Sequence, residues 1–337
     1  MNKLLIASCA AFLAVNQIQQ VQAENNDHHN HHNHNTYSPF HVMGAHSHDK
    51  DEWMFSYSYA RMEMKGMKKG SDTIDLADVY SAGYMVSPIK MTTDMHMFGT
   101  MKGLTEDFTF MAMASYLKKD MLLRNVSGAT FNTGSEGLGD TKLSIIDNLN
   151  RYGYSGWSTM VTLSLPTGST SREDNTPLGA NTRLPYPMQL GSGTYDVTPA
   201  VTYQCQCYGV DVGSQVYATF RIGDGEEDYR LGNQFGLKAW AGKAWTEAFS
   251  TGVNLSWVSQ SGISGADAKL NPNMVVTADS ENTGFNKASL GFDASYKPAI
   301  LNGLELVGAY EEPIYEKVDG IQMKSQRMLT LGLRQVF

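Results

Sequence analysis

The sequence predicts an all-β fold, a transmembrane antiparallel up-and-down β-barrel of about 12 strands with short periplasmic turns and long outer loops. Three observations predict it. The stretch 328–337 alternates Leu329, Leu331 and Leu333 with Thr330, Gly332 and Arg334 and ends on Phe337, as a barrel strand with an interfacial aromatic does. Connections between strand-like runs alternate in length. Interior runs such as Trp157, Thr159, Val161, Leu163 and Leu165 against Ser158, Met160, Thr162 and Ser164 keep a strict period of two.

Taken in order, the chain opens on an export signal over 1–23. Lys3 supplies the positive charge, 4–15 is mostly apolar, and Val21, Gln22 and Ala23 suit cleavage. The segment 24–50 carries eight of the nine histidines among Asn and Asp, and it is expected to be disordered in the periplasm. The barrel is expected over 51–337. Its strands are predicted at 53–65, 92–104, 108–124, 141–152, 156–165, 194–207, 210–222, 233–246, 249–260, 288–297, 304–316 and 322–337. Links at 106–107, 153–155, 208–209, 247–248 and 301–303 are short, and those at 66–91, 125–140, 166–193, 223–232 and 261–287 are long. Asp319 and Gly320 break the rhythm with a short outer turn. After the export signal no apolar run reaches the length a spanning helix needs. The formal charge of −8 disfavours a nucleic-acid partner. Cys205 and Cys207 lie two apart on one strand; a kinked disulfide, a metal pair and two free thiols all stay open.

The run Leu184-Pro185-Tyr186-Pro187-Met188-Gln189-Leu190-Gly191-Ser192-Gly193-Thr194-Tyr195-Asp196 resembles the outer-membrane transporter family named for the meta-pathway of phenol degradation. His46 and His48 before Trp53 and Met54, Arg61 to Met64, Asp94 to Gly99 and Ser164 to Ser169 resemble its heavy-metal-associated branch. The resemblance implies a barrel with a transport role and supplies no substrate.

Residues that carry chemistry fall into four groups. His28, His29, His31, His32, His34, His41, His46 and His48 suit transition-metal ions through neutral imidazole. Met62 and Met64, Met95 and Met97, and Met111 and Met113 form i,i+2 pairs on neighbouring strands, and thioether sulfur suits copper(I)-like ions. In the second strand, Asp94, His96, Thr100 and Lys102 share one face. Turning that face inward makes His96 a pore ligand and sends Met95 and Met97 to lipid, where they are apolar filler; a lumenal methionine wall is the alternative. Arg61, Glu63, Asp94, Lys102, Asp293, Lys297 and Glu305 are expected in the lumen, because charge facing lipid is costly. Pro185, Tyr186, Pro187 and Met188 are expected to form an ordered loop at the mouth.

No Gly-x-Ser-x-Gly elbow is present, and no enzyme is expected. The first expectation is a monomeric channel for small solutes, with the outer-membrane bilayer and the barrel-assembly machinery as partners and the N-terminal tail in the periplasm. The second is a copper- or soft-metal-associated protein with weakly bound ions and no required cofactor. The third is a barrel that anchors periplasmic partners.

Overall fold

The computed structural model describes residues 37–149, 155–301 and 303–337. The export segment and His28, His29, His31, His32 and His34 lie outside the described residues. Twelve strands form the wall. They are β1 (Trp53–Lys69), β2 (Val86–Gly103), β3 (Phe108–Asn125), β4 (Thr141–Asn148), β5 (Ser155–Leu165), β6 (Tyr195–Cys207), β7 (Val210–Ile222), β8 (Gln234–Ala244), β9 (Phe249–Gln260), β10 (Phe285–Tyr296), β11 (Leu304–Val318) and β12 (Ile321–Val336). Each pairs antiparallel with its chain neighbour, and β12 returns to β1 in a ladder from Met54↔Val336 to Lys69↔Ile321. Trp53 and Phe337 exchange backbone hydrogen bonds of 3.1 and 2.8 Å at the foot of this seam. This seam pairs the first strand with the last, so the sheet closes on itself and has no terminal edge strand.

The turn rhythm holds with two exceptions. One is the expected Asp319–Gly320 turn. The other corrects the sequence: 125–140 is not a long loop. Thr130–Leu138 pairs with the upper half of β3 and continues the wall above β4, leaving a tight turn in which Asn125 N–H donates to Ala129 O. Gly134, Gly137 and Gly139 give that strand the composition of a loop. Similarly, β1 and β2 run further than predicted because they carry Gly66 and Pro88. Both sit at or beside register shifts, where a barrel strand tolerates them.

The two faces are sorted for lipid. Phe98, Val161, Val253, Phe292, Leu331 and Leu333 are exposed on the outside, while Ser144, Thr162, Thr202, Asn254, Ser256 and Ser289 are buried within. A chain that exposes its large apolar residues and buries its small hydroxyls belongs in hydrocarbon, not water. The inner hydroxyls pair across strands, Ser144 with Thr162 and Ser250 with Ser295, both at 2.7 Å.

One part of the wall is parted. The β11–β12 ladder stops at Glu311↔Met328, although only Asp319 and Gly320 join the two strands. Above that point the Glu316 carboxylate accepts from the Ser325 hydroxyl at 2.6 Å and spans the gap.

Val253 lies on the outer face near the middle of β9, between Ala241 and Phe292 in the ladders. Val253→Arg is expected to cost about 2–4 kcal/mol of folding free energy, read by urea titration in phospholipid vesicles. A change below about 0.5 kcal/mol, ordinary for a water-exposed position, contradicts the outward assignment.

Candidate functional site

The lumen is the site, and its wall reverses one expectation. Trp53, Phe55 and Tyr57 pair with Lys102, Thr100 and Phe98, and Tyr59, Arg61 and Glu63 pair with His96, Asp94 and Thr92. Trp53, Phe55 and Phe98 are exposed on the outside, so this whole face looks outward. Met62, Met64, Met95, Met97, Met111 and Met113 therefore turn inward, on the same face as the buried Met54, Met91, Met101 and Met121.

The polar residues that misled the register are partnered on the outer face. Lys102, at the foot of β2, places its ammonium 4.9 Å from the Trp53 ring centroid. His96 lies among Tyr57 and Tyr59 in an aromatic girdle, with Nδ1 2.9 Å from the Tyr57 hydroxyl. Arg61 pairs with Asp94 at 3.4 Å and Glu63 with Arg327 at 3.1 Å, a collar above that girdle. Arg61, Glu63, Asp94, Lys102 and His96 are thus not lumenal. Asp293 and Glu305 do face inward, and Glu305 is paired with the inward Arg334 at 2.8 Å. Lys297 lies past the end of β10, on the short-turn rim.

The segment 37–50 differs from the expected free tail. It folds into the short-turn end of the barrel. The Tyr37 ring lies on Gly242 and Gly252, where added Cβ atoms would come within 2.1 and 2.2 Å of it, so both positions need glycine. Its hydroxyl donates to the Asp293 carboxylate at 2.7 Å and its backbone N–H to Asp211 at 2.7 Å. Gln215 and Lys238 donate to the carbonyls of Met43 and His41 at 2.8 and 2.7 Å. His48 N–H donates to Thr109, and its ring meets Glu52 at 2.7 Å. A low-complexity composition hid this docking: the partners come from five strands, β3, β7, β8, β9 and β10, scattered along the chain.

Burial, with Lys238 nearby, holds the His41 imidazole down to about 3, and burial also keeps His46 far below its ordinary value. Among the described residues no three of His, Cys, Asp or Glu gather as a metal site. Cys205 and Cys207 are free thiols, 3.8 Å apart.

At the other end, loops fold inward. The short helix Tyr186–Met188 and a second at Val276–Ala278 bury Met188 and Val276 against Met67, Met91, Met121 and Met323. Lys119, on the inner face of β3, donates to the carbonyls of Pro187 and Gln189 at 2.8 and 2.5 Å. Asp140 accepts from the backbone N–H groups of Gly168 and Ser192 at 3.0 and 2.8 Å. Between this cap and the N-terminal segment lies a cavity of about 620 Å³, with Met43 at its floor and Tyr186 and Leu190 in its roof.

A profile of the family described as "Putative MetA-pathway of phenol degradation" matches residues 89–300, more than half of the chain. The chain belongs to this family. Among solved structures, the COG4313 outer membrane channel from Pseudomonas putida F1 superposes with a TM-score of 0.63 at 14% identity, covering 86% of this chain and 97% of that one. The beta domain of the Bordetella autotransporter BrkA reaches 0.46 at 10% identity, over 86% and 100% of the two chains. The sequence matches no curated protein. At 14% identity the likeness to the COG4313 channel shows the barrel fold alone.

In this member of the phenol MetA-pathway family, the roof of the cavity is built from motifs inside the matched span. Gly168, in the Ser164–Ser169 stretch, touches Gly191 of the Leu184–Asp196 stretch so closely that a Cβ on Gly191 would sit 2.3 Å from Gly168 O. Sequence reasoning missed Lys119, Lys142, Lys238 and Arg221, which also line the cavity. Period two was the available signal for Lys142 and Lys238, since Ser144 and Gly236 beside them share their faces.

His41 and His46 make docking of the N-terminal segment pH-dependent. Both titrate lower when docked than free, so the free segment binds more protons and docking weakens as pH falls below about 6.5. Lys238 and Asp293 face His41, and Arg334, His48 and Ser38 face His46. Bilayer conductance is expected to rise between pH 7.5 and 5, and the double change His41→Phe with His46→Phe to flatten that rise. Identical profiles would contradict it.

Proposed function

We propose that this chain is an outer-membrane channel that passes small solutes through its lumen, one cavity at a time. The observation that carries this is the cavity itself, lying between a loop cap and a docked N-terminal segment inside a lipid-sorted barrel. Both closures rest on side-chain and backbone hydrogen bonds, which yield more readily than a wall ladder. The barrel side needs no catalytic group and no second subunit. Insertion by the barrel-assembly machinery and a periplasmic position for residues before 37 belong to the same proposal.

The test is conductance of purified protein in planar bilayers, with liposome swelling for small solutes. Removing residues 37–48 is expected to raise conductance severalfold while heat-modifiable gel mobility stays intact. A folded barrel that stays silent after that deletion sinks the channel.

A second reading has a specific observation behind it. The inward methionines give the lumen a thioether wall, with Met64, Met91, Met160 and Met323 on the cavity itself, a surface suited to silver(I) or copper(I). Lys119, Lys142, Lys238 and Arg221 share that cavity, and each cation at ~10 Å opposes a metal ion by about 1–2 kcal/mol at an effective dielectric of ~20. For that reason it stands second. Methionine to leucine keeps volume, so changing these four to leucine is expected to abolish silver(I) retention without unfolding the barrel. Equal retention by both proteins ends the metal reading.

A further inference from the structure

The charges on the cavity wall do not cancel, and following each to its partner shows where the surplus lies. Arg221 is paired with Asp196, which also accepts from the Thr194 hydroxyl. Asp140 is satisfied by two backbone N–H groups of the cap. Lys119 is committed to two cap carbonyls. Lys238 gives one hydrogen bond to His41 O and keeps the rest of its donors. Lys142 has no hydrogen-bond partner and no ion pair within 4 Å among the described residues. It projects from the inner face of β4, beside Met113 and Ser164 in the ladders, and its side chain is exposed to the lumenal space. Lys142 and Lys238 are within electrostatic reach of each other; Glu311 also bears on Lys238 from across the lumen, and Asp140 and Asp196 bear on Lys142, none of them in contact with the lysine it bears on.

Among the described residues, neither ammonium thus has a carboxylate in direct contact, and Lys142 has no contact partner at all. Charge enclosed without a partner is unfavourable, and a bound counter-charge relieves it. The rest of the wall is not built for a fully hydrated ion. Thioethers of Met43 and Met160 and the half-buried Tyr217 ring line the same cavity. The cavity, about 620 Å³, falls in the range of small-molecule sites.

We propose that this cavity binds a small organic anion, its negative group held by Lys142 with Lys238 opposite and its apolar body against Met43, Met160 and Tyr217. The proposal rests on the channel reading and names the class of solute the lumen holds on its way through. The anion's oxygens accept charge-assisted hydrogen bonds from the lysines, and the thioether and aromatic walls take up surface that water would otherwise cover.

Binding is read without conduction, by ¹⁹F NMR line broadening on the full chain in an uncharged detergent. The probes are 4-fluorobenzoate and its neutral analogue 4-fluorobenzyl alcohol, each corrected for empty micelles. The carboxylate is expected to bind at least about tenfold tighter than the alcohol at low salt. Lys142→Gln is expected to bring the carboxylate down to the level of the alcohol and leave the alcohol unchanged. Lys118→Gln, on the outer face of the same barrel, is expected to change neither. Equal affinity of the two probes for the unaltered protein overturns the proposal, and so does undiminished carboxylate preference in Lys142→Gln. The first comparison needs no variant, so it decides even if the substitution impairs folding. A barrel that conducts without preferring the carboxylate removes this inference alone. One that binds the carboxylate but never conducts removes the channel instead.

Discussion

The seam between β1 and β12 is the constraint on which the rest depends. Once Met54 stands opposite Val336 and Trp53 bonds Phe337, the first and last strands are joined and the cylinder is closed. The same ladder fixes the register of β1, and β1 fixes β2. Period two then assigns every side chain to lipid or lumen without further choice. One residue of slip along this seam would exchange the methionines for Phe55, Tyr57 and Phe98.

The interior follows from that assignment. Thioether side chains are slender and adaptable, and here they fill the space between wall, cap and N-terminal segment without polar demands of their own. Around them the polar groups are committed in a directional way. Carbonyls of the cap and of the N-terminal segment take lysine and glutamine donors from the wall, and tyrosine hydroxyls find carboxylates. The two closures are therefore ordered, yet neither is part of the closed ladder. Opening either one exchanges a few hydrogen bonds for water instead of breaking the barrel.

Much of the fold was legible in the sequence. Strands with small polar inner faces, such as β5, β9 and β10, declared their orientation because their apolar residues could only be lipid-facing. What stayed hidden has a physical cause in each case. In β2 the charged and aromatic residues share one face and the methionines the other, so hydrophobicity alone pointed the wrong way. The deciding information was the aromatic residues Trp53, Phe55 and Phe98, which share that face and are exposed on the outside. Glycines in 130–138 gave a strand the look of a loop. Docking of Tyr37 depends on Gly242 and Gly252, two absences of a side chain that no local pattern marks as a socket. The lysines of the cavity were not read from the sequence, although period two sets Lys142 with Ser144 and Lys238 with Gly236, and only the folded wall brings Lys142, Lys238 and Lys119 to one space.

Site-directed spin labelling at Met97 and Phe98, adjacent residues on β2, tests the inward thioether wall most directly. In liposomes a label at position 98 should be relaxed strongly by oxygen and weakly by an aqueous nickel chelate, and a label at position 97 should be shielded from oxygen. The opposite pattern, with position 97 in lipid and position 98 shielded, would contradict the register and the cavity built on it.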